Sequence, residues 1–490
     1  MSTLPELATA VLHSDPAREV VEFEGKWYRW ADLQRVAGGV QKLLAQSGIR
    51  PDAPVCFVPR NHPSSLAALI ALIAQGRNIR MIYAFQSPAG MARDVKRLAP
   101  AAIILEARDL RDELVEALCE EGIAAVTLEG MEAVAPSKHA YAGAAATRSY
   151  SGAPQIEILT SGTTGPPKQF PIPYAMIEKN HIGGKSTTGE AAGVGRPPAL
   201  LYFTFGNISG IYSTLPPILS GQRAVLLDRF SIPAWVDFVK RYRPEASGIP
   251  PSMMRQLLDA NIPAEDLASI KVMGSGAAPL DPALQLQFED RYGIPILLSY
   301  GATEFGGPVC AMTPALHGEW SRKKVGTLGK PMAGCDLRVV DPVDGRILGP
   351  DEEGLLEVHA PRIQPEWIRT SDIGVIDEDG FMFLRGRSDG AIIRGGFKIL
   401  PETIEKGLKQ NPAIAEVAVV AVPDQRLGQV PGAVIRLNGD APSPSIEDIA
   451  LHLRQHVMAT HIPVHWRIVE SLPRNASMKL DRVAMKEMFA

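Results

Sequence analysis

The feature that most constrains the fold is an alternation between short apolar runs and longer helical patterns, which extends from residue 1 to about residue 385. The strand-like runs include APVCFV, AAIIL, AVLLD and PILLSY, and the helical stretches include PSSLAALIALIAQ and DPALQLQFEDRYG. Strands that alternate with helices in this way are typical of layered α/β folds. The sequence therefore predicts an α/β class for this part of the chain.

After GRSDG at 386–390 the pattern restarts on a smaller scale, with ETIEKGLKQ and SIEDIALHLRQHV as helices and AEVAVVAV and GAVIRL as strands. A chain of 490 residues is long enough for several domains, each with a core of its own. We therefore expect a large α/β domain of several subdomains at 1–386, a hinge at 387–389 and a small, mobile α+β domain at 390–490.

The charge and hydropathy patterns exclude some partners. The net charge is −4, and the 50 Lys and Arg residues are nearly matched by 54 Asp and Glu residues. Nucleic acid is therefore not an expected partner. The opening MSTLPELATAVLHSDPAREV has no positive segment before an apolar core, and SLAALIALIA at 65–74 is too short to cross a bilayer. We expect a cytoplasmic protein without a membrane span, and both a monomer and a homodimer remain open.

The cysteines lack the spacing of a zinc site or a disulfide framework, and reduced thiols are expected at Cys56, Cys119, Cys310 and Cys335. Four histidines near the carboxyl terminus allow a metal site as an alternative: His452, His456, His461 and His465. No carboxylate or cysteine joins them, so the pattern favours an amphipathic helix that runs into a strand.

The stretch LTSGTTGPPK at 159–168 contains two hydroxyl pairs, two glycines and one lysine, directly after the strand-like QIEIL. Hydroxyl groups and unpaired backbone N–H groups after a strand suit phosphate oxygens, although a surface turn is the simpler alternative. A Walker loop does not fit, because Pro167 precedes Lys168 where that motif has glycine, and Gln169 follows. The stretch therefore indicates a phosphate-binding loop of another kind and excludes a P-loop kinase.

Four further motifs follow in order: YGATE at 300–304, WIRTSD at 367–372, GRSDGAIIRGGFKILPETIE at 386–405 and PRNASMKLDR at 473–482. Together with LTSGTTGPPK they resemble the core motifs of the adenylate-forming superfamily, most closely the acyl-CoA synthetases. The resemblance implies that a carboxylic acid reacts with ATP to give an acyl-adenylate and pyrophosphate, and that a thiol then releases AMP. ATP, Mg²⁺ and CoA are the cofactor and co-substrates that it implies.

The resemblance also assigns residues to the triphosphate and the metal. The β- and γ-phosphates would contact Thr160, Ser161, Gly162, Thr163, Thr164, Gly165 and Lys168. In YGATE, Tyr300, Gly301 and Ala302 would contact the nucleotide, and Thr303 would donate to an α-phosphate oxygen. Glu304 would hold Mg²⁺ directly or through water, since carboxylate oxygens suit this ion.

The ribose and the adenine have candidate partners in two other motifs. A carboxylate can accept hydrogen bonds from both hydroxyls of a ribose, and the resemblance places Asp372 there with Arg387 beside it. In GSGAAPL at 274–280, the small residues Gly276, Ala277 and Ala278 would lie against the adenine and the acyl carbonyl. Surface ion pairs and an ordinary β-turn are the simpler alternatives for these positions.

Lys479 is the candidate that would act on the reacting atoms. An ammonium group between the acid and the α-phosphate would neutralise both reactants, and the resemblance gives this role to the lysine of the last motif. This sequence departs from the family here, because Met478 stands where glycine is usual.

In the family, the small domain rotates between the two steps and exchanges the lysine loop for a glycine-bearing segment. The resemblance places the hinge at Asp389 and the segment along the CoA tunnel at Arg394, Gly395 and Gly396. Paired glycines allow close backbone approach to pantetheine, whereas a hairpin turn is the structural alternative.

The resemblance places the acyl pocket among FTFGNISGIY, GSGAAP and GATEFGGPV, and the candidate lining residues are Phe205, Asn207, Gly276, Gly301, Phe305 and Gly306. These segments carry no charge apart from Glu304, which predicts an uncharged, apolar aliphatic or aryl acid and argues against malonate-like diacids. An inward-pointing Arg255 is the alternative. Asn207 occupies a position where the family often has an aromatic residue or histidine.

For the acceptor, CoA is expected because the chain lacks a carrier-protein segment and has the GGFKI form of the hinge-following motif. A stand-alone enzyme that loads a separate carrier protein is the alternative. A non-catalytic nucleotide-binding protein is a further alternative, and the presence of Glu304, Asp372, Arg387 and Lys479 argues against it.

Overall fold

The computed structural model describes residues 2–136, 144–160, 168–182, 196–388, 390–438, 444–473 and 480–490. The chain divides into two compact units, and the division falls between Arg243 and Pro244. Both units contain sheets covered by helices, which confirms the predicted α/β class. Within the described residues, no helix is long and apolar enough to cross a membrane.

The first unit has eleven strands within its described residues: β1 Glu19–Phe23, β2 Lys26–Arg29, β3 Val55–Val58, β4 Ile79–Met81, β5 Ala102–Glu106, β6 Ala124–Glu129, β7 Glu132–Val134, β8 Gln155–Thr160, β9 Lys168–Pro173, β10 Ala199–Leu201 and β11 Ala224–Leu226. Its α-helices are α1 Leu4–Leu12, α2 Trp30–Gln46, α3 Pro63–Ala74, α4 Pro88–Leu98, α5 Asp112–Glu121, α6 Tyr174–Ile177, α7 Ile208–Leu219 and α8 Ile232–Tyr242.

The larger sheet of this unit has the order β7-β6-β5-β3-β4-β8-β9, and its central strands are parallel. Every residue of β3 and β5 is buried, as expected for parallel strands covered on both faces. Local signals fix the neighbouring helices: α3 has proline at its first position, and Ser87 caps α4 by accepting from Gly90 N–H. A smaller sheet has the order β10-β11-β1-β2.

The second unit has fourteen strands within its described residues: β12 Ala246–Gly248, β13 Val272–Ser275, β14 Ile296–Ala302, β15 Gly307–Ala311, β16 Lys330–Pro331, β17 Asp336–Val340, β18 Gly354–His359, β19 Trp367–Ile376, β20 Met382–Arg387, β21 Ile392–Arg394, β22 Phe397–Ile399, β23 Ile414–Asp424, β24 Gly428–Leu437 and β25 His465–Ile468. Its α-helices are α9 Pro251–Asp259, α10 Ala264–Leu267, α11 Pro282–Tyr292, α12 Pro314–Trp320, α13 Pro401–Leu408, α14 Ile446–Arg454 and α15 Arg482–Glu487.

Three sheets organise the second unit. The first has the order β12-β13-β14-β15-β16, with β12, β13 and β14 parallel. The second is antiparallel, with the order β17-β18-β19-β20. The third has the order β22-β21-β24-β23, and β25 pairs with β24.

The third sheet lies entirely after residue 391, and so do two clusters of buried side chains that cover it. One cluster includes Ile392, Val419 and Leu453, and the other includes Val420, Val434 and Met485. The described residues after 391 therefore have a core of their own within the second unit. The expected division near 386–390 and the hinge stay predictions, because residue 389 lies outside the described residues.

Candidate functional site

The parallel strands β12, β13 and β14 bring two candidate segments, GSGAAPL and YGATE, to one edge of a sheet. Gly248 pairs with Gly274, and Ser275 pairs with Leu298, so the carboxyl ends of the strands lie side by side. The stretch GSGAAPL begins with the last two residues of β13, and the YGATE motif begins with the last three residues of β14. Ligands of α/β sheets bind outside the carboxyl ends of the strands. This edge is therefore the expected position for a nucleotide.

Three of the predicted nucleotide-binding residues lie together in the second unit. The Tyr300 hydroxyl donates to Asp372 Oδ2 over 2.6 Å, and the Arg387 guanidinium pairs with the other oxygen of the same carboxylate. Asp372 and Arg387 are cross-strand partners in β19 and β20, while Tyr300 comes from β14. Asp372 is 8% exposed, so the carboxylate is held in a fixed orientation by two partners from different strands.

Burial is the main reason why the pKa of Tyr300 lies well above its ordinary value, and the negative charge of Asp372 raises it further. The phenol is therefore protonated at neutral pH and acts as a hydrogen-bond donor. Arg387 supplies the compensating positive charge. The cluster can present a carboxylate to a pair of hydroxyl groups without leaving that carboxylate unpaired.

Two residues of the same motif, Thr370 and Ser371, support this cluster and had not been assigned a role from the sequence. Thr370 Oγ1 accepts from Asp372 N–H over 2.9 Å and donates to the Leu356 carbonyl over 2.8 Å. Ser371 Oγ accepts from Arg387 over 3.1 Å. The sequence signal that could have indicated this role is the position of these two hydroxyl residues directly before Asp372.

The GSGAAPL loop approaches β14 closely. A Cβ atom at Gly276 would lie 2.9 Å from Ser299 Oγ, which explains why glycine occupies this position. Ala277 has a φ of 67°, in the left-handed region that non-glycine residues rarely occupy. The loop thus combines a close backbone approach with a strained residue, as is common at ligand-binding sites.

Thr303 and Glu304 lie in a 3₁₀ turn, Thr303–Phe305, directly after β14. The Glu304 side chain is partly exposed. The backbone of Gly301 packs closely on β15, since a Cβ at Gly301 would lie 2.6 Å from Pro308 Cα. Protein sites for Mg²⁺ often use one carboxylate together with substrate phosphates and water. A partly exposed Glu304 at this edge fits that requirement, whereas no group of three or more His, Cys, Asp or Glu residues that could hold a metal occurs within the described ranges.

The predicted phosphate-binding loop is framed by two strands of the first unit. Strand β8 confirms the expected strand before it, and the backbone of Thr160 pairs with that of Lys168 at the start of β9. The residues between them, among which are Ser161, Gly162, Thr163, Thr164 and Gly165, lie outside the described residues.

The three residues of the predicted CoA segment make contacts with different parts of the second unit. Gly396, with a φ of 89°, lies against the GSGAAPL loop, because a Cβ there would lie 3.7 Å from the Ala277 carbonyl oxygen. Gly395 N–H donates to the Leu427 carbonyl over 2.8 Å. The Arg394 guanidinium donates to the carbonyls of Thr460 and Ile462, which gives it a structural contact inside the small domain. Asp389 and Lys479 lie outside the described residues.

The predicted acyl-pocket residues belong to both units. Gly276, Gly301, Phe305 and Gly306 are in the second unit, where Phe305 is 2% exposed. Phe205 and Asn207 are in the first unit, and the Phe205 side chain is fully buried. Asn207 caps α7: its Oδ1 accepts from Gly210 N–H over 2.6 Å, and its Nδ2 donates to Thr204 Oγ1 over 2.9 Å. These contacts give Asn207 a local structural role.

The carboxyl-terminal histidines follow the predicted helix and strand. His452 lies in α14, and its ring centroid is 4.8 Å from that of His456. His461 is buried beside Thr460, and His465 begins β25. None of the four cysteines, all of which lie in the described residues, is part of a disulfide, and Cys56, Cys310 and Cys335 are buried.

Two protein-family models match this chain. A model described as AMP-binding enzyme matches residues 9–365, and a model described as AMP-binding enzyme C-terminal domain matches residues 403–479. This chain belongs to the AMP-binding enzyme family. The matched ranges contain LTSGTTGPPK and YGATE in full, residues 403–405 of the motif at 386–405, and residues 473–479 of the last motif, with Lys479 as the last matched residue. The motif WIRTSD at 367–372 lies between the two ranges.

Curated relatives span nearly the whole chain. The 2-succinylbenzoate–CoA ligase of Bacillus pumilus (strain SAFR-032) is 26% identical over 495 residues, which covers 96% of this chain and 95% of that protein. The 2-succinylbenzoate–CoA ligase of Bacillus cereus (strain ATCC 14579) is 30% identical over 357 residues, or 68% and 69% of the two chains.

Solved structures share the fold. A variant of the o-succinylbenzoate CoA synthetase of Bacillus subtilis, bound to a product analogue, has a TM-score of 0.79 at 22% identity, with 99% of each chain covered. The amide bond synthetase McbA of Marinactinospora thermotolerans has a TM-score of 0.81 at 23% identity and the same coverage.

These matches confirm the expected adenylate-forming fold, with its large amino-terminal and small carboxyl-terminal parts, and the expected class of enzyme, an AMP-forming acid–thiol ligase. ATP and CoA as co-substrates, with Mg²⁺, are likewise confirmed at the level of this family.

Proposed function

We propose that this enzyme activates an uncharged acid with an apolar aliphatic or aryl tail to its acyl-adenylate and then transfers the acyl group to CoA. The observation that carries the proposal is the cluster of Tyr300, Asp372 and Arg387 at the carboxyl edge of a parallel sheet. A carboxylate held by a phenol and a guanidinium is suited to accept hydrogen bonds from the ribose hydroxyls of ATP.

In the first step, the role proposed for loop 160–168 is to bind the β- and γ-phosphates and hold the leaving pyrophosphate. Thr303 would donate to an oxygen of the α-phosphate. Lys479 would lie between this phosphate and the acid, so that the carboxylate can attack phosphorus against less repulsion. Glu304 would hold Mg²⁺, which when bound neutralises the charge of the phosphate oxygens.

In the second step, the thiol of CoA attacks the acyl carbonyl and AMP leaves. The position of Gly396, where an added Cβ would lie 3.7 Å from the Ala277 carbonyl oxygen, supports a role for this segment, because Ala277 belongs to the loop proposed to hold the acyl carbonyl. A route bordered by glycine backbone leaves room for the narrow pantetheine arm. Lys479 would have to leave the same carbonyl first, so we also propose rotation about the hinge at Asp389 between the steps.

The nature of the acid rests on the composition of the three segments predicted to bind it. Segments 203–212, 274–279 and 301–309 carry one charged side chain, that of Glu304. The curated relatives are named for 2-succinylbenzoate, which has two carboxylates, and a buried second carboxylate needs a cation. Arg255, the fifth residue of α9, is half-buried and has no hydrogen bond or ion pair with another described residue. The Arg255 guanidinium is therefore the candidate cation that could pair with the second carboxylate of a dicarboxylic acid.

The test measures pyrophosphate release with MgATP for a panel of aliphatic, alicyclic and aryl monoacids, with 2-succinylbenzoate as the dicarboxylic comparison. We expect the highest kcat/KM for a monoacid. A preference for 2-succinylbenzoate that Arg255→Gln abolishes, while Arg291→Gln on the exposed face of α11 preserves it, would show that the acid is a dicarboxylate. Release with none of the acids would reject adenylation.

For the acceptor, we propose free CoA. The expected result is AMP formation from acid, MgATP and CoA alone. AMP formation that requires an added phosphopantetheinyl carrier protein would instead assign the enzyme to carrier loading. We also propose a cytoplasmic location, which the four free thiols support. Cell fractionation with an antibody against the chain checks that location.

A further inference from the structure

Arg362, in the loop between β18 and β19, contacts the segment 305–308 that follows YGATE. Arg362 Nε donates to the Phe305 carbonyl over 2.8 Å, and a terminal nitrogen of the same guanidinium donates to the Pro308 carbonyl. The guanidinium is a rigid planar fork, so two hydrogen bonds to one segment fix both the distance and the direction of its carbonyls.

The two accepting carbonyls lie on either side of Gly306 and Gly307. These glycines have φ values of 69° and 116°, in the region where glycine has wide conformational freedom. The pairing of Ala302 with Gly307 and the hydrogen bond from Gly306 N–H to the Thr303 carbonyl over 2.9 Å close this turn. The contacts from Arg362 add side-chain hydrogen bonds to the carbonyls on both sides of the glycine pair.

No other described group competes for this guanidinium. Arg362 is half-buried, and within the described ranges it has no ion pair with a carboxylate. Its charge is therefore directed to two main-chain oxygens. By contrast, Arg338 and Arg369 in the same sheet region both pair with the buried carboxylate of Glu357.

We propose that Arg362 is a positioning residue that holds the turn 303–308, and with it the carboxylate of Glu304 and the acyl-pocket wall at Phe305, in the geometry required for catalysis. This inference rests on the proposed function for the roles of Glu304 and Phe305. It adds a residue outside the sequence motifs, and it predicts that one substitution weakens the use of Mg²⁺ and of the acid together.

The test compares Arg362→Gln and Arg362→Lys with wild-type enzyme in ATP–pyrophosphate exchange. We expect Arg362→Gln to raise both the KM for the acid and the Mg²⁺ concentration for half-maximal rate by about tenfold, the size typical of lost charged hydrogen bonds, with a KM for ATP within about twofold. Arg362→Lys keeps the positive charge but loses the planar guanidinium, so its KM for the acid and its Mg²⁺ requirement should lie between those of Arg362→Gln and wild type. Added guanidinium ion should restore activity to an Arg362→Ala variant.

Arg338→Gln is the matched control, because it also removes an arginine from this sheet and leaves the turn 303–308 untouched. We expect a similar fall in melting temperature and unchanged KM values. If Arg362→Gln changes the melting temperature alone, or raises every KM equally, the positioning role is wrong.

Hydrogen exchange of the amides at 303–309 tests the same inference without any turnover. Exchange should accelerate in Arg362→Gln and stay unchanged in Arg338→Gln, whichever acid the enzyme uses. Wild-type enzyme that lacks pyrophosphate exchange would contradict the proposed function, whereas unchanged exchange of these amides in Arg362→Gln would contradict the positioning role.

Discussion

The hydroxyl of Tyr300 donates a 2.6 Å hydrogen bond to the carboxylate of Asp372, and this bond joins the end of β14 to β19. We predict that Tyr300→Phe raises the KM for ATP by about tenfold, because a buried carboxylate that loses one of two partners is less well oriented for the ribose. The kcat should change by less than about threefold, since the reacting atoms are not affected. Steady-state pyrophosphate exchange provides both constants.

The control for that prediction is Tyr292→Phe, which removes a partly buried hydroxyl bonded to the Leu257 carbonyl over 3.3 Å. It should leave the KM for ATP unchanged. If both variants raise this KM equally, the effect of Tyr300→Phe reflects general loosening of the unit.

Lys479→Ala should remove most acyl-adenylate formation and largely spare thioester formation from supplied acyl-adenylate. The ammonium group is required where two anions meet, and that encounter occurs only in the first step. Single-turnover assays of each half-reaction measure the two effects. Equal losses in both would contradict the exchange of this lysine for the glycine segment.

Gly396→Leu should do the reverse, because its Cβ would already lie 3.7 Å from the Ala277 carbonyl oxygen and the rest of the side chain would extend beyond that atom. We expect adenylation within about threefold of wild type and a loss of thioester formation of at least about a hundredfold. Gly380→Leu is the matched control for backbone strain, since Gly380 has a φ of 79° and no atom lies within 4 Å of its Cβ position. An unaffected second step in Gly396→Leu would reject the tunnel.

His461 should make the stability of the small domain depend on pH. Burial, and then the charge of Arg394, lower the pKa of this histidine to about 4, and the residue is 6% exposed. Below pH 6.5 the unfolded chain binds a proton that the folded chain does not, so stability decreases as the pH falls from 6.5 towards 4. The full loss is roughly 3 kcal/mol, from about 1.4 kcal/mol per pKa unit.

Urea unfolding of wild type and His461→Gln at pH 7.5 and pH 4.5 checks this prediction. The wild type should lose more stability between the two values than the variant does. Parallel losses would show that His461 is protonated in the folded state.

Much of the fold could be predicted because its signals are local. Strands and helices can be recognised from apolar residues that recur with periods of two and 3.6 residues. The restart of the pattern after residue 390 coincides with a sheet that has its own core. The proximity of Tyr300, Asp372 and Arg387 was implied by the family resemblance, and the structure supplies the strand pairing that brings the last two together.

Other contacts depend on tertiary packing and could not be predicted. Nothing local to Arg362 indicates that it reaches the carbonyls of Phe305 and Pro308, which are more than fifty residues away in sequence. The hydrogen bonds of the Arg394 guanidinium to the carbonyls of Thr460 and Ile462 likewise had no local signal, and its place along the CoA tunnel stays a prediction. The cap that Asn207 provides for α7 had a visible signal, since asparagine is a favoured residue at helix starts.

The sheet formed by β21 to β25 buries its own set of side chains, so we expect that the segment 390–490 can be exchanged as a module. Grafting this segment from a relative that uses another thiol acceptor would alter the partner in the second half-reaction while the acid-binding segments retain their native sequence. Acceptor preference and acid preference could then be engineered separately in a single polypeptide.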